Sequence, residues 1–242
     1  KGILAESNGA GKITITNNAD ITTQSQNHII QFPTTPESHG IQAINSSTGA
    51  SGGITIDHTG GTITTSAYNS SAIRAESSAS TGDINISSTN ALLNVNGIDS
   101  DGIVAVHTTA MNETSTANIN ITTRGGSIKV LDAPIANLLN KNIYSHGIEA
   151  SIRGVNSGDI NIIVDKTEIS VGTHLDGKAP LSHAIDARID NLGSGNIDIK
   201  NSGKLTTAGA TSSLIFADNQ GSGGVTITNS GELSMLGRSI AA

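Results

Sequence analysis

A short phrase, Ile followed two residues later by Ala, recurs along the whole chain: Ile3 and Ala5, Ile41 and Ala43, Ile73 and Ala75, Ile103 and Ala105, Ile148 and Ala150, Ile185 and Ala187, Ile215 and Ala217, Ile240 and Ala242. After each of the first seven comes a second phrase in which two apolar residues flank one polar residue. These pairs are Ile13 and Ile15, Ile54 and Ile56, Ile84 and Ile86, Ile119 and Ile121, Ile160 and Ile162, Ile197 and Ile199, Val225 and Ile227. A third anchor follows eight or nine residues after the start of that pair: Ile21, Ile63, Leu92, Ile128, Ile169, Leu205 and Leu233. Spacing by two places both side chains on one face of a strand. Each unit therefore reads as three short strands separated by Gly, Asn and Ser turns.

Strands this short cannot bury a face alone. The arrangement that satisfies them is an all-β coil in which each unit is one rung, like strands stack in parallel, and the Ile columns form a continuous core. Composition supports it: aromatics make up 2 % of the chain and there is no Trp, so burial must come from regular stacking of β-branched residues. The expected fold is a right-handed parallel β-helix of three-strand rungs, about seven rungs and roughly 34 Å long at the inter-strand spacing. The hand follows from the bias of parallel crossovers. The consensus patterns of leucine-rich repeats and calcium-binding nonapeptide rolls are missing. Asn85, Asn120 and Asn161, at the outward position between paired Ile, are placed to form an amide ladder. Residues 1–242 are expected to be a single β-helix segment excised from a longer chain, because the repeat is already running at the first residue and still running at the last.

Thirteen Lys plus Arg and a net charge of −7 give no basic stripe for nucleic acid. No window suits a membrane span, so no membrane insertion by this segment is expected. The absence of Cys suits a cytosolic scaffold and equally a chain that crosses an outer membrane unfolded.

Successive first-strand anchors lie 25 to 45 residues apart. The corner between third strand and next first strand absorbs most of that variation, in three long segments, 22–38, 129–145 and 170–182. All prolines (Pro33, Pro36, Pro134, Pro180) fall there, where a missing N–H does no harm to a ladder. Phe32 and Tyr144 lie in the same segments, Tyr68 sits at the equivalent corner, and Ile29, Ile30, Leu138, Leu139 and Ile143 add apolar weight. These eight residues are the candidate partner-binding set. Two roles suit them: a contact surface projecting from a rigid rod, or a lid folded back on the coil.

The phrases Gly158-Asp159-Ile160-Asn161-Ile162, Gly195-Asn196-Ile197-Asp198-Ile199, Asn201-Ser202-Gly203-Lys204-Leu205 and Asn229-Ser230-Gly231-Glu232-Leu233 resemble the passenger domains of bacterial autotransporters. Ser38 to Ile41 and Ser145 to Ile148 are similar to stretches of large alphaproteobacterial members, including the CAMP-like-factor cohaemolysin and pro-angiogenic types. The resemblance covers the whole chain, but its motifs are fold motifs. It implies export by type V secretion through a C-terminal translocator barrel in the parent chain, and a cell-surface or secreted location. The implied role is a virulence-type adhesive or other effect on a host-cell surface protein or glycan, with antibodies as a further possible partner.

Sites of chemistry are sparse. Gly49-Ala50-Ser51-Gly52-Gly53 matches a nucleophile elbow in letters, but that motif needs a following helix and here Ile54 opens a strand. The column two residues before the first-strand Ile reads Ser71, Asp101, His146, His183. A catalytic triad needs His in the middle, whereas here Asp separates Ser from His. A polar stack is expected instead, with Asp101 favouring the charged form of His146. Glu149 and Asp186 occupy equivalent outward positions, about 5 Å apart, near the carboxylate separation of a retaining glycosidase. The aromatic subsites of such an enzyme are missing, and two solvated acids are expected. The seven histidines show no metal-ligand spacing. No catalytic residue, metal or cofactor is expected. A partner-binding rod is the leading reading, a passive stalk the alternative, and a glycan-processing enzyme the third.

Overall fold

The computed structural model describes residues 1–24, 37–97, 99–109, 114–131, 144–172, 182–190, 192–208 and 212–235. They form an all-β parallel β-helix of seven rungs, with three parallel sheets of seven strands each. The first sheet holds Ile3–Ser7, Ile41–Asn45, Ile73–Ser77, Ile103–Thr108, Ile148–Arg153, Ile185–Ile189 and Ile215–Asn219. The second holds Ile13–Asn17, Ile54–Thr59, Ile84–Thr89, Ile119–Arg124, Ile160–Asp165, Ile197–Asn201 and Val225–Asn229. The third holds Ile21–Thr23, Thr62–Thr65, Leu92–Val95, Ser127–Val130, Glu168–Val171, Lys204–Thr207 and Glu232–Met235.

Register is in phase throughout. Ile103 pairs with Ile73 and Ile148, and Ile119 with Ile84 and Ile160, so the repeated phrases stack on their own copies. In rungs two to six the inward anchors are almost wholly buried, as are Ala43, Ala75, Ala105, Ala150 and Ala187, while in the terminal rungs Ile3, Ile21 and Ile215 are partly open and Val225, Ile227 and Leu233 are exposed. The expected amide ladder is present: Asn120 Nδ2 donates to Asn85 Oδ1 and Asn161 Nδ2 to Asn120 Oδ1, both at 3.0 Å.

One anchor is corrected. In the third rung the inward residue is Leu93, which pairs with Ile63 and Ile128 and is buried, whereas Leu92 is 45 % exposed. The cause is local. In rungs two to five the second strand runs one residue longer and turns at a left-handed residue: Gly60, Asn90, Gly125 and Lys166 have φ of 66°, 51°, 59° and 53°. Asn tolerates that conformation through its short polar side chain, so Asn90 gives the third rung the longer corner and moves its anchor one place on.

A second regularity explains the residue preceding each first strand. A Cβ on Gly2, Gly40, Gly102 or Gly147 would overlap the γ2 methyl of Ile21, Ile63, Ile128 or Ile169. Where the third-strand anchor is Leu, which carries no methyl on Cβ, the same place holds a side chain: Ala72 beside Leu93, Ala184 beside Leu205, Leu214 beside Leu233. The two walls meet there, and a Cβ at these glycines would also press on the carbonyl oxygen of the equivalent residue one rung on.

Backbone N–H groups at the corners point along the rod and are met by side chains of neighbouring rungs. Before the second strands, the N–H of Asn118, Asp159, Asn196 and Gly224 donates to Oδ1 of Asp83, Asn118, Asp159 and Asn196, at 2.8, 2.8, 2.7 and 2.9 Å. This is the physical content of the Gly-Asp-Ile and Gly-Asn-Ile phrases. Before the first strands, the N–H of Ser38, Ser70, Ser100 and Ser145 donates to the hydroxyl of Ser70, Ser100, Ser145 and Ser182 in the next rung.

Two outcomes test this packing. Ile121→Asp places an unpaired charge in the core column and should abolish cooperative thermal unfolding, while Asn120→Ser should lower stability by no more than about 1 kcal/mol; equal effects would contradict the register. Gly102→Ala should destabilise by roughly 1–3 kcal/mol through overpacking, and Ile128→Leu in the same chain should recover part of it by removing the methyl clash, as a double-mutant cycle in urea would show.

Candidate functional site

Among the described residues, the third-to-first corner and the outer face of the first sheet beside it gather many of the ionisable side chains. The Ser71, Asp101, His146, His183 column is real and extends to His39 and Ser213. Its acceptors each take a backbone N–H from the next rung: His39 Nδ1 from Ser71 (2.9 Å), Asp101 Oδ1 from His146 (2.6 Å), His146 Nδ1 from His183 (3.1 Å) and His183 Nδ1 from Ser213 (2.9 Å). A histidine whose Nδ1 accepts a backbone proton is neutral there. The rings of His146 and His183 stack at 5.3 Å, and His183 stacks on Phe216 at 4.9 Å.

This corrects the expected charge pairing. Asp101 meets the backbone of His146 and does not hold its ring charged. Burial pushes His146 down to about 4 and outweighs the opposing charge of Asp186, whose Oδ2 lies 3.5 Å from Nε2. Burial, and then the charge of Glu149, drives the Asp101 carboxyl well above its ordinary range. No triad is assembled: the His146 Nδ1 is occupied, and the Ser71 hydroxyl is buried without a hydrogen-bond partner. Ser51 belongs to a corner, its Oγ accepting from Asn45 Nδ2 (2.6 Å) and the Gly53 N–H (3.1 Å).

Glu149 and Asp186 are neighbours in register, as expected, but they are not two solvated acids. Asp186 is 1 % exposed and clamped by Arg188, whose Nε and Nη2 donate to its two oxygens at 2.7 Å each. Glu149 is half-buried, and burial followed by the charge of Asp186 raises its pKa.

Two recesses open on this face. One, of about 360 Å³, is lined by Arg74, Glu76, Val104, Val106, Glu149 and Arg153 among others. The other, of about 340 Å³, shares Arg74, Glu149 and Arg153 and adds Asp101, Tyr144, Asp186 and Arg188. The shape follows from the rungs. Val104 and Val106 are short and stack between Arg74 and Glu76 on one side and Glu149 and Ser151 on the other, leaving a trough one rung wide.

Of the candidate partner-binding residues, Tyr68 and Tyr144 are brought together by Asp99. Tyr68 Oη donates to Asp99 Oδ2 and the Tyr144 N–H to Oδ1, each at 3.2 Å. Ile29, Ile30, Phe32, Leu138, Leu139 and Ile143 lie outside the described residues. The arginines Arg74, Arg153 and Arg188, and Asp99, are missing from the candidate set. For Arg74 and Arg188 the signal in sequence is an outward position adjoining the Ala of a first-strand phrase. Among the described residues no group of three His, Asp or Glu is arranged to hold a metal ion, and no helix is long and apolar enough to cross a membrane. No family model, curated protein or solved structure matches the chain.

All five described histidines are buried and held below the ordinary 6.5. A histidine with a depressed folded pKa contributes stability that is full above 6.5 and is lost as pH falls toward the folded value. For His146 the window is 6.5 to about 4. Between pH 7 and pH 4.5 the parent chain should therefore lose about 2–3 kcal/mol more stability than His146→Asn, which keeps an acceptor without a titrating ring. Urea unfolding at the two pH values measures it. Asp101 and Glu149 titrate in the opposite sense in both proteins and drop out of the difference.

Proposed function

We propose that this chain is a segment of an exported, surface-displayed or secreted bacterial passenger that contacts a host-cell component through the third-to-first corner and the first-sheet face beside it. The observation that carries the reading is the uneven distribution of chemistry on the rod. The outward positions between the paired anchors of the second sheet are Thr14, Thr55, Asn85, Asn120, Asn161, Asp198 and Thr226, short side chains of which the three Asn are bonded to one another. The first-sheet face concentrates three arginines, five acids and one tyrosine around two recesses. A solenoid needs only its inward residues to fold, so long charged side chains gathered on one face are read as contact chemistry. The resemblance of the repeat phrases to autotransporter passengers, and a chain without cysteine, support export through an outer membrane.

The geometry speaks against glycoside hydrolysis, because Asp186 is buried and clamped by Arg188 and is not free to attack a sugar. The passive-stalk reading is favoured by the sixth and seventh rungs, whose third-to-first spacings are too short for an insert.

The test is binding of the labelled protein to mammalian cells. Tyr68→Ala with Tyr144→Ala should weaken binding at least tenfold, while Lys200→Ala on the second sheet should leave it unchanged. Absence of binding to any cell type, or binding indifferent to the tyrosines, would favour the stalk.

A further inference from the structure

The trough on the first-sheet face has the make-up of a saccharide site. Its floor is apolar at Val106, which is partly open, while Val104 lies wholly covered beneath its neighbours. Its banks carry planar polar groups: the guanidinium and carboxylate of Arg74 and Glu76, joined by an Nε–H donated at 2.7 Å, face the carboxyl of Glu149 and the guanidinium of Arg153. A pyranose ring presents this same division, C–H groups on its faces and hydroxyls around its edge. Planar groups bind adjacent hydroxyls in pairs. The volume, about 360 Å³ continuing into about 340 Å³, lies within the range of small-ligand sites, about 300–1,000 Å³. Tyr144, 39 % exposed, lines the second part.

The charge balance narrows the class. Arg74 is paired with Glu76 and Arg188 with Asp186. Arg153 makes no ion pair among the described residues, although its charge acts on Glu149 in the same trough; its Nε donates only to Ser151 Oγ at 3.1 Å, and the residue is exposed. One guanidinium outside any ion pair suits one carboxylate, and its fork matches carboxylate geometry. A densely sulfated chain would need several unpaired cations, and the trough's other two arginines are already paired.

We propose that the first-sheet trough binds an acidic glycan carrying about one carboxylate per disaccharide, with Arg153 pairing the carboxylate while Arg74, Glu76 and Glu149 meet ring hydroxyls. Val106 and Tyr144 supply the apolar contacts. This assignment rests on the surface-contact reading above and names the partner's chemistry.

The experiment is calorimetric titration of the full chain with a hyaluronan octasaccharide, a chito-oligosaccharide as a neutral chain, and a heparin octasaccharide. Hyaluronan should bind, the neutral chain at least tenfold more weakly, and Arg153→Gln should weaken hyaluronan at least tenfold with unchanged circular dichroism and melting temperature. Because Arg153 is exposed, the variant should fold. As a conservative check, Arg153→Lys should restore part of the affinity. Failure of hyaluronan to bind, equal binding of the neutral chain, or heparin binding that ignores Arg153→Gln would each overturn the assignment. Cell binding in parallel separates the two levels. If cells are bound but hyaluronan is not, the partner is of another class and only the glycan assignment falls. If neither is bound, the surface-contact reading falls as well.

Discussion

In-register parallel stacking makes every side chain the neighbour of its own counterpart one rung away, and the rest of this molecule follows from that constraint. A residue type is acceptable at a position only if it tolerates a copy, or a complement, about 4.8 Å above and below. Ile and Ala satisfy this in the core because identical shapes nest along a column. Asn satisfies it on the second sheet because an amide is both donor and acceptor, so Asn85, Asn120 and Asn161 join head to tail.

The corners obey the same rule with backbone partners. A turn in a coil leaves N–H groups pointing along the rod, and each needs an acceptor from the neighbouring rung. The chain supplies these with Asp and Asn before the second strands, and with two adjacent columns before the first: Ser hydroxyls accept from the rung before, while His Nδ1 and Asp101 Oδ1 accept from the rung after. His39, His146 and His183 are therefore structural acceptors, and their neutrality belongs to the fold. Of the residues that read in sequence as catalytic types, Asp101 and His146 are accounted for by backbone satisfaction.

The first-sheet face is where this self-complementarity is suspended. Its outward column reads Gln42, Arg74, Val104, Glu149, Asp186, Phe216, with no type repeated. Two acids stand side by side, and burial together with the charge of Asp186 raises the pKa of Glu149. At the interior of the cluster Asp186 takes two bonds from Arg188, which itself lies 4.8 Å over the Phe216 ring. A ladder of like residues would be simpler to stack. Departure from it marks the face where side chains are set by something other than the coil.

By itself the sequence determined the coil: period-two phrases at regular intervals specify three strands per unit, and the inward columns, the Asn ladder and the corners that accept insertion are all readable from spacing. It also held, unread, the Gly-with-Ile and Ala-with-Leu pairing, because that rule links positions some twenty residues apart. Only the tertiary structure decided the third-rung anchor, since choosing Leu93 over Leu92 required the left-handed turn at Asn90. It also decided the state of the charged groups. Asp101, His146, Glu149 and Asp186 come from three different rungs, and a titratable group's preference is set by how much water and which charges surround it. Spacing along a chain specifies which residues share a column, but not how deeply a column is covered.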